Sequence, residues 1–251
     1  MKILIANAKL MHPAVALAPQ TEPLFQPQAE ELAAEMARMD VAEMARQLDC
    51  SPALALENWR RYQAFPLAPR MPALLAYNGQ AYKHLKASTL SPEALDWGQQ
   101  HVWVTCFLYG LLRPLDGIAP YRMEHTVRLP QSGGQQIGHY WRDRLTDHLI
   151  QQVRADDGVL LHLSTAEYEH LFHWRRVCES VRVVQPHFYV EKGGRLQMQA
   201  VWAKSGRGAM LRYAMEHRIR HTDELQAFAA AGFIYAPHLG EPDHPHFVRT
   251  P

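Results

Sequence analysis

Lys2-Ile3-Leu4-Ile5-Ala6, followed at once by Asn7-Ala8-Lys9, opens the chain. An apolar run of this length reads as a buried strand. The polar triplet leaves its carboxyl end, where α/β sheets commonly carry their working groups. A second such run, Val159-Leu160-Leu161-His162-Leu163, follows the turn Asp156-Asp157-Gly158 and leads into Ser164-Thr165-Ala166-Glu167, a helix-start signature. Residues 181–184 and 187–191 read as strands parted by Pro186. Lys192-Gly193-Gly194-Arg195 reads as a hairpin turn with residues 196–202 as its partner strand.

Helical signals fall between these strands. Residues 29–48 predict one helix, with Glu30, Glu31 and Glu35 in the half favoured by its dipole. Ser51-Pro52 and Ser91-Pro92-Glu93 each start another, an N-cap followed by Pro. The second is expected to run through Trp97, Trp103 and Leu108 to Gly110. Residues 140–153, 209–219 and 222–231 predict further helices, and 81–85 a single turn. Residues 73–77 and 126–129 read as short strands, and the last twenty residues as irregular. With no repeat and no clear linker, the expectation is a mixed α/β (α+β) fold: one compact domain over residues 1–251, a central sheet surrounded by helices.

Composition narrows the function. The net charge is +1, from 26 Lys and Arg against 25 Asp and Glu, so a polyanion surface must be a local patch. The first five residues are only strand length and prolines follow soon after, so neither a targeting segment nor a bilayer span is expected. The three cysteines, Cys50, Cys106 and Cys178, are odd in number and far apart, which fits a reduced compartment. A cytoplasmic monomer with no membrane partner is expected. The 15 histidines read as a composition bias. Glu169, His170, His173 and Cys178, and likewise His238, His244 and His246, lack metal-ligand spacing, so neither metal nor cofactor is expected.

Two segments carry candidate chemistry. Ala203-Lys204-Ser205-Gly206-Arg207-Gly208-Ala209-Met210-Leu211-Arg212 combines two glycines with three cations just ahead of an expected helix, whose first amides can hold an anion. It lacks the Gly-Lys-Ser/Thr ending of a Walker A loop. Leu108-Tyr109-Gly110-Leu111-Leu112-Arg113-Pro114-Leu115-Asp116, then Pro120-Tyr121-Arg122-Met123-Glu124, offers Arg113 and Arg122 to phosphates with Asp116 and Glu124 to orient them, or an internal Arg–carboxylate brace. A helix ending in a Gly turn before a further charged segment is similar to a helix-hairpin-helix, whose turn amides grip DNA phosphates. Ser164 or Thr165 beside His162 is a possible nucleophile pair, but no G-x-S-x-G elbow is present and helix capping explains them better.

These motifs, in this order, resemble the bacterial peroxide stress response family YaaA, from Met1 to about Arg249. Ile5-Ala6-Asn7-Ala8-Lys9 stands at the family's Ser-Pro-Ala-Lys opening, and Ala76-Tyr77-Asn78-Gly79-Gln80-Ala81-Tyr82 matches its aromatic-x-Gly-x-x-Tyr. The 108–124 segment is the strongest match. Tyr140-Trp141-Arg142-Asp143 resembles Phe-Trp-x-Asp, and Ala203 to Arg212 resembles the family's Lys-Lys-Ala-Arg-Gly-x-Met-x-Arg. The chain departs at Ala6-Asn7, Cys106-Phe107, Ser205 and His162-Leu163-Ser164-Thr165. The resemblance implies a basic cleft, a helix-hairpin-helix-like element, binding of double-stranded or distorted DNA, and limitation of iron-dependent damage under peroxide. No established reaction comes with it. The expected phosphate contacts are Lys9, Arg113, Arg122, Lys204, Arg207 and Arg212. Tyr77, Tyr82, Tyr109, Gly110, Asp116, Tyr121, Glu124, Trp141, Glu167 and Gly208 are expected to support them. Two other readings are an enzyme acting on a nucleotide or nucleic acid, with Asp116 or Glu124 as base or metal ligand, and iron handling by the histidines.

Overall fold

A computed structural model describes residues 1–250. In chain order its elements are β1 (Lys2–Ala6), α1 (Gln26–Arg38), α2 (Val41–Gln47), α3 (Pro52–Ala64), β2 (Met71–Pro72), α4 (Ala73–Ala76), α5 (Gln80–Leu85), α6 (Pro92–His101), β3 (Val102–Cys106), β4 (Gly110–Leu112) and β5 (Gly117–Ile118). Then come α7 (Ile137–Tyr140), α8 (Arg142–Arg154), β6 (Val159–Leu163), α9 (Ala166–Glu169), α10 (Trp174–Ser180), β7 (Arg182–Val184), β8 (His187–Lys192), β9 (Arg195–Gln197), α11 (Ala200–His217), β10 (Ala229–Ala230), β11 (Phe233–Glu241) and β12 (His244–Arg249).

The mixed α/β organisation holds, with two principal sheets. The first has the order β4-β3-β1-β6-β7, with β1 parallel to both β3 and β6. Ile3, Leu4 and Ile5 at its centre are buried, as a strand covered on both faces requires. The second has the order β10-β11-β12-β8-β9. Helix α11 packs against β8 of the second sheet and also reaches α5, α6 and β6. Its buried residues include Ala203, Gly206, Gly208, Met210, Leu211 and Met215. No helix among the described residues is long and apolar enough to cross a membrane.

Several elements differ from expectation for identifiable reasons. The 29–48 helix is two helices, because Asp40 caps a new start by accepting the Glu43 amide at 2.7 Å. The helix from Ser91 stops at His101. Val102-Trp103-Val104-Thr105-Cys106 is β-branched and aromatic in character and pairs with β1 on one side and β4 on the other. Gly110 therefore opens a strand, and the helix-hairpin-helix expected there is a β-hairpin. Residues 73–76, Ala-Leu-Leu-Ala, take the helical turn those residue types prefer. Residues 126–129 form only an isolated bridge, Arg128 to Gln136. Strand β9 ends at Gln197. Helix α11 begins at Ala200, so Gly206 and Gly208 lie inside it rather than ahead of it. The 222–231 helix is a 3-10 segment, Thr222–Ala227, followed by β10. Residues 233–249, expected to be irregular, form the whole of the β11–β12 pair, which carries a register shift between Tyr235 and Gly240.

Candidate functional site

Strands β1 and β6 are parallel neighbours, so Asn7, Ala8 and Lys9 emerge from the same sheet edge as Thr165, Glu167 and Tyr168. Gly79 to Tyr82, at the start of α5, and Lys204 and Arg207 of α11 face that edge. Together these residues line a cavity of about 570 Å³. Open α/β sheets gather ligands at this place, outside the carboxyl ends of parallel strands. A cavity of about 660 Å³ lies elsewhere, along residues 14–17 and Leu74, Leu75, Leu90 and Leu95. Its lining is mostly aliphatic and gathers no group of cations, so the smaller cavity is the better candidate.

Lys204 and Arg207 are three residues apart on one helix and share a face. Among the described residues, neither has a carboxylate within ion-pair distance. Burial alone lowers the pKa of Arg207, with no charged neighbour contributing. Lys9 Nζ lies 2.5 Å from Glu124 Oε2, and Arg122 Nη2 lies 2.8 Å from Glu124 Oε1. One buried carboxylate thus holds two cations, and a positive charge remains at the mouth of the cavity. Glu167 is the exposed acid on the lining.

The glycines of the basic segment serve packing. A Cβ on Gly206 would stand 2.2 Å from the Phe188 ring, and one on Gly208 1.9 Å from the Ala81 carbonyl oxygen. The anion-binding helix start expected from those glycines is absent there, because both sit in mid-helix; the cations instead reach the cavity from the side of α11. Gly208 matters to the cleft through Ala81, which lines it.

Two expected phosphate ligands are placed elsewhere. Arg113 is 3.1 Å from Asp116, a fully buried carboxylate that also accepts from Thr21 Oγ1 at 2.6 Å and from the Arg113 amide at 2.7 Å. Burial raises the Asp116 pKa against these bonds. The pair clasps the turn between β4 and β5. Arg212 donates to the carbonyls of Leu85 at 2.9 Å and Lys86 at 3.1 Å and to Thr89 Oγ1 at 2.9 Å, and pairs with Glu216 at 2.6 Å. It satisfies acceptors left open where α5 ends on the left-handed Lys86. Arg212→Ala is therefore expected to cost about 2 kcal/mol of stability. Urea unfolding of the variant against wild type checks it.

The aromatic residues form the wall behind the cavity. Tyr77 and Tyr121 hydroxyls lie 2.8 Å apart, Asn7 Nδ2 donates to Tyr121 at 3.0 Å, and Tyr168 donates to Asn7 Oδ1. Tyr82 donates to the Ala6 carbonyl at 3.0 Å. Asn7 is thus held by tyrosines on both sides of its amide. Tyr109 accepts from the Ala119 amide at 3.0 Å, and Trp141 donates to the Phe107 carbonyl at 2.8 Å while covering Gly110. These last three brace the β3–β4 hairpin. His162 is bound to Glu169 at 3.0 Å and Ser164 to Thr105 at 3.0 Å, so no nucleophile pair forms among them.

A family model described as "Peroxide stress protein YaaA" matches residues 1–239. The chain belongs to the YaaA family. The curated relatives agree. A UPF0246 protein of Bacteroides thetaiotaomicron is 41% identical over 245 residues, covering 96% of this chain and 95% of its own. A UPF0246 protein of Parabacteroides distasonis is 38% identical over 253 residues, covering 99% and 100%. One from Leptothrix cholodnii is 39% identical over 236 residues, covering 92% and 91%. Every cleft residue named above lies inside the YaaA match, whereas β12 lies beyond it. Membership in the YaaA family supports a role in oxidative stress.

Proposed function

We propose that the chain serves the peroxide response by binding DNA at the β1–β6 edge, with Lys9, Lys204 and Arg207 on phosphate and Arg122 holding Lys9 in place through Glu124, and that it thereby limits iron-dependent damage. The observation that carries this reading is Arg207, half-buried on the wall of the cavity with no carboxylate within ion-pair distance. A half-buried guanidinium lacking a counter-charge keeps a strong demand for an anion. A phosphate supplies both the charge and a geometry that fits the guanidinium fork. The cavity is a pocket of nucleotide dimensions, with Tyr82 and Tyr168 on its wall. It suits an opened or distorted strand that presents one nucleotide.

Anisotropy titrations with intact, gapped and single-stranded oligonucleotides test this. Gapped and single-stranded forms are expected to bind more tightly than intact duplex. Lys204→Ala is expected to weaken them, whereas Arg113→Ala changes nothing. Equal affinity for all forms, or equal loss in both variants, would sink the reading.

A second reading, an enzyme acting on a nucleotide, is favoured by Glu167 in the same cavity as Lys9. The two readings differ at Glu167→Gln. Under DNA binding, removing this negative charge tightens the complex; under catalysis, it abolishes turnover of the bound nucleotide.

A further inference from the structure

We propose that His125, His139 and His170 form a binding site for a first-row divalent transition ion, with three imidazole ligands and one position open to solvent. None of the three lines the β1–β6 cavity. They come from separate places in the chain: the loop after β5, helix α7, and the residue that closes α9. One ring nitrogen from each lies within 4.8 Å of the others. A tetrahedral ion with metal–nitrogen bonds of about 2.0–2.1 Å sets ligand separations of roughly 3.4 Å, so the site closes when the side chains rotate, one ring of the His125–His170 pair turning out of its stack.

The surroundings favour this use. The rings of His125 and His170 stack at 4.6 Å and 9°, so one of them turns to bring both in-plane lone pairs onto an ion, and His139 approaches both at 6.0 and 6.2 Å at steep angles. Nδ1 of His125 is buried without a hydrogen-bond partner. Gly138 makes room for it, since a Cβ there would stand 2.3 Å from His125 Nδ1. Two contacts fix the frame. The Ile137 amide donates to the Val127 carbonyl at 2.8 Å, and Arg142 Nε donates to the His170 carbonyl at 3.1 Å.

The donor set chooses the class of ion. The cluster holds no carboxylate, which disfavours magnesium and calcium, whereas imidazole suits zinc, copper and nickel. The charged groups acting on His125 and His139 are Arg142 and Arg128, both positive. They oppose a weakly held cation and favour an anionic fourth ligand such as hydroxide. Three protein ligands with one open position is the coordination of reactive rather than closed structural sites.

The test uses the full chain, stripped of metal and titrated with zinc by calorimetry and with cobalt by visible absorption. Wild type is expected to show one tight zinc site and the absorption of tetrahedral cobalt. Changes in outer partners alone cost about 10–100-fold in affinity, so His139→Gln and His170→Ala should each weaken the site by roughly 100-fold or more. Gly138→Ala, by displacing His125, should weaken it as well. His246→Ala, in a separate group of rings with His187 and His244, should leave it unchanged. Absence of a tight site in wild type, affinity unaltered in both His139→Gln and His170→Ala, or loss of the site in His246→Ala overturns the proposal.

Discussion

Gly208→Ala is expected to lower the stability of the chain by about 3 kcal/mol or more, the upper range for overpacking. Helix propensity alone gives the opposite sign, since alanine in a helix interior gains about 1 kcal/mol over glycine. Sterics decide the outcome. The added Cβ would sit 1.9 Å from the Ala81 carbonyl oxygen, 2.6 Å from its carbon and 2.8 Å from its Cα. All three atoms are backbone, so α11 and α5 must separate as units. For a chain of this size the loss corresponds to a fall of roughly 10 °C in Tm. Gly98→Ala is the contrasting case. Its closest neighbour is the Met215 methyl at 2.4 Å, the mobile end of a flexible side chain, and it is expected to be near neutral. Thermal unfolding of both variants checks the pair. Displacing α5 also moves Gly79 to Tyr82, so Gly208→Ala should lose DNA affinity as well.

Arg207→Met is expected to separate binding from stability. The methionine keeps an apolar stem and removes a half-buried charge that has no carboxylate within ion-pair distance. Stability should hold, since no ion pair is broken. DNA affinity should fall by roughly 10- to 100-fold, the equivalent of about 1.5–3 kcal/mol for a charged hydrogen bond. A variant that both unfolds more easily and binds as before would mean that Arg207 is a structural residue. Lys204→Met should lose less affinity, because its ammonium is exposed and well hydrated.

The sheet edge was legible from the first nine residues. An apolar run of strand length followed by Asn7-Ala8-Lys9 placed both the strand and the polar segment at its end. The β8–β9 hairpin was legible from Lys192-Gly193-Gly194-Arg195, because a Gly pair between short strands leaves few alternatives. The central strand β3 was hidden. No Gly or Pro separates it from α6, and Trp97, Val102, Trp103 and Phe107 read equally well as one buried helix. Strand and helix differ here only through pairing with β1 and β4, which are distant in sequence. The β11–β12 pair was hidden by Pro237, Gly240, Pro242 and Pro245, which punctuate a turn and a register shift rather than ending the strands.

At the site, the candidate cations were readable and their arrangement was not. Lys9, Lys204 and Arg207 meet through tertiary packing, whereas Arg113 and Arg212 turn to Asp116 and to the end of α5. The signal that separates the two groups is partly present in the sequence: Asp116 lies three residues after Arg113, and Glu216 four after Arg212 on the same helix. Arg207 has no acid at either spacing. Gly206 and Gly208 were misleading because glycine in a basic segment suggests a loop, while here each lets a helix approach a ring or a backbone. The histidine cluster had no sequence signature, since its members come from three elements.

The dependence of DNA affinity on salt counts the cations that meet phosphate. With Lys9, Lys204 and Arg207 as the contacts, the slope of log K against log salt for a gapped or single-stranded oligonucleotide is expected at about −2 to −3, and Arg207→Met should make it shallower by roughly one. A slope of about −5, as contact by all six candidate cations would give, or one that Arg207→Met leaves unchanged, would contradict a three-cation cleft.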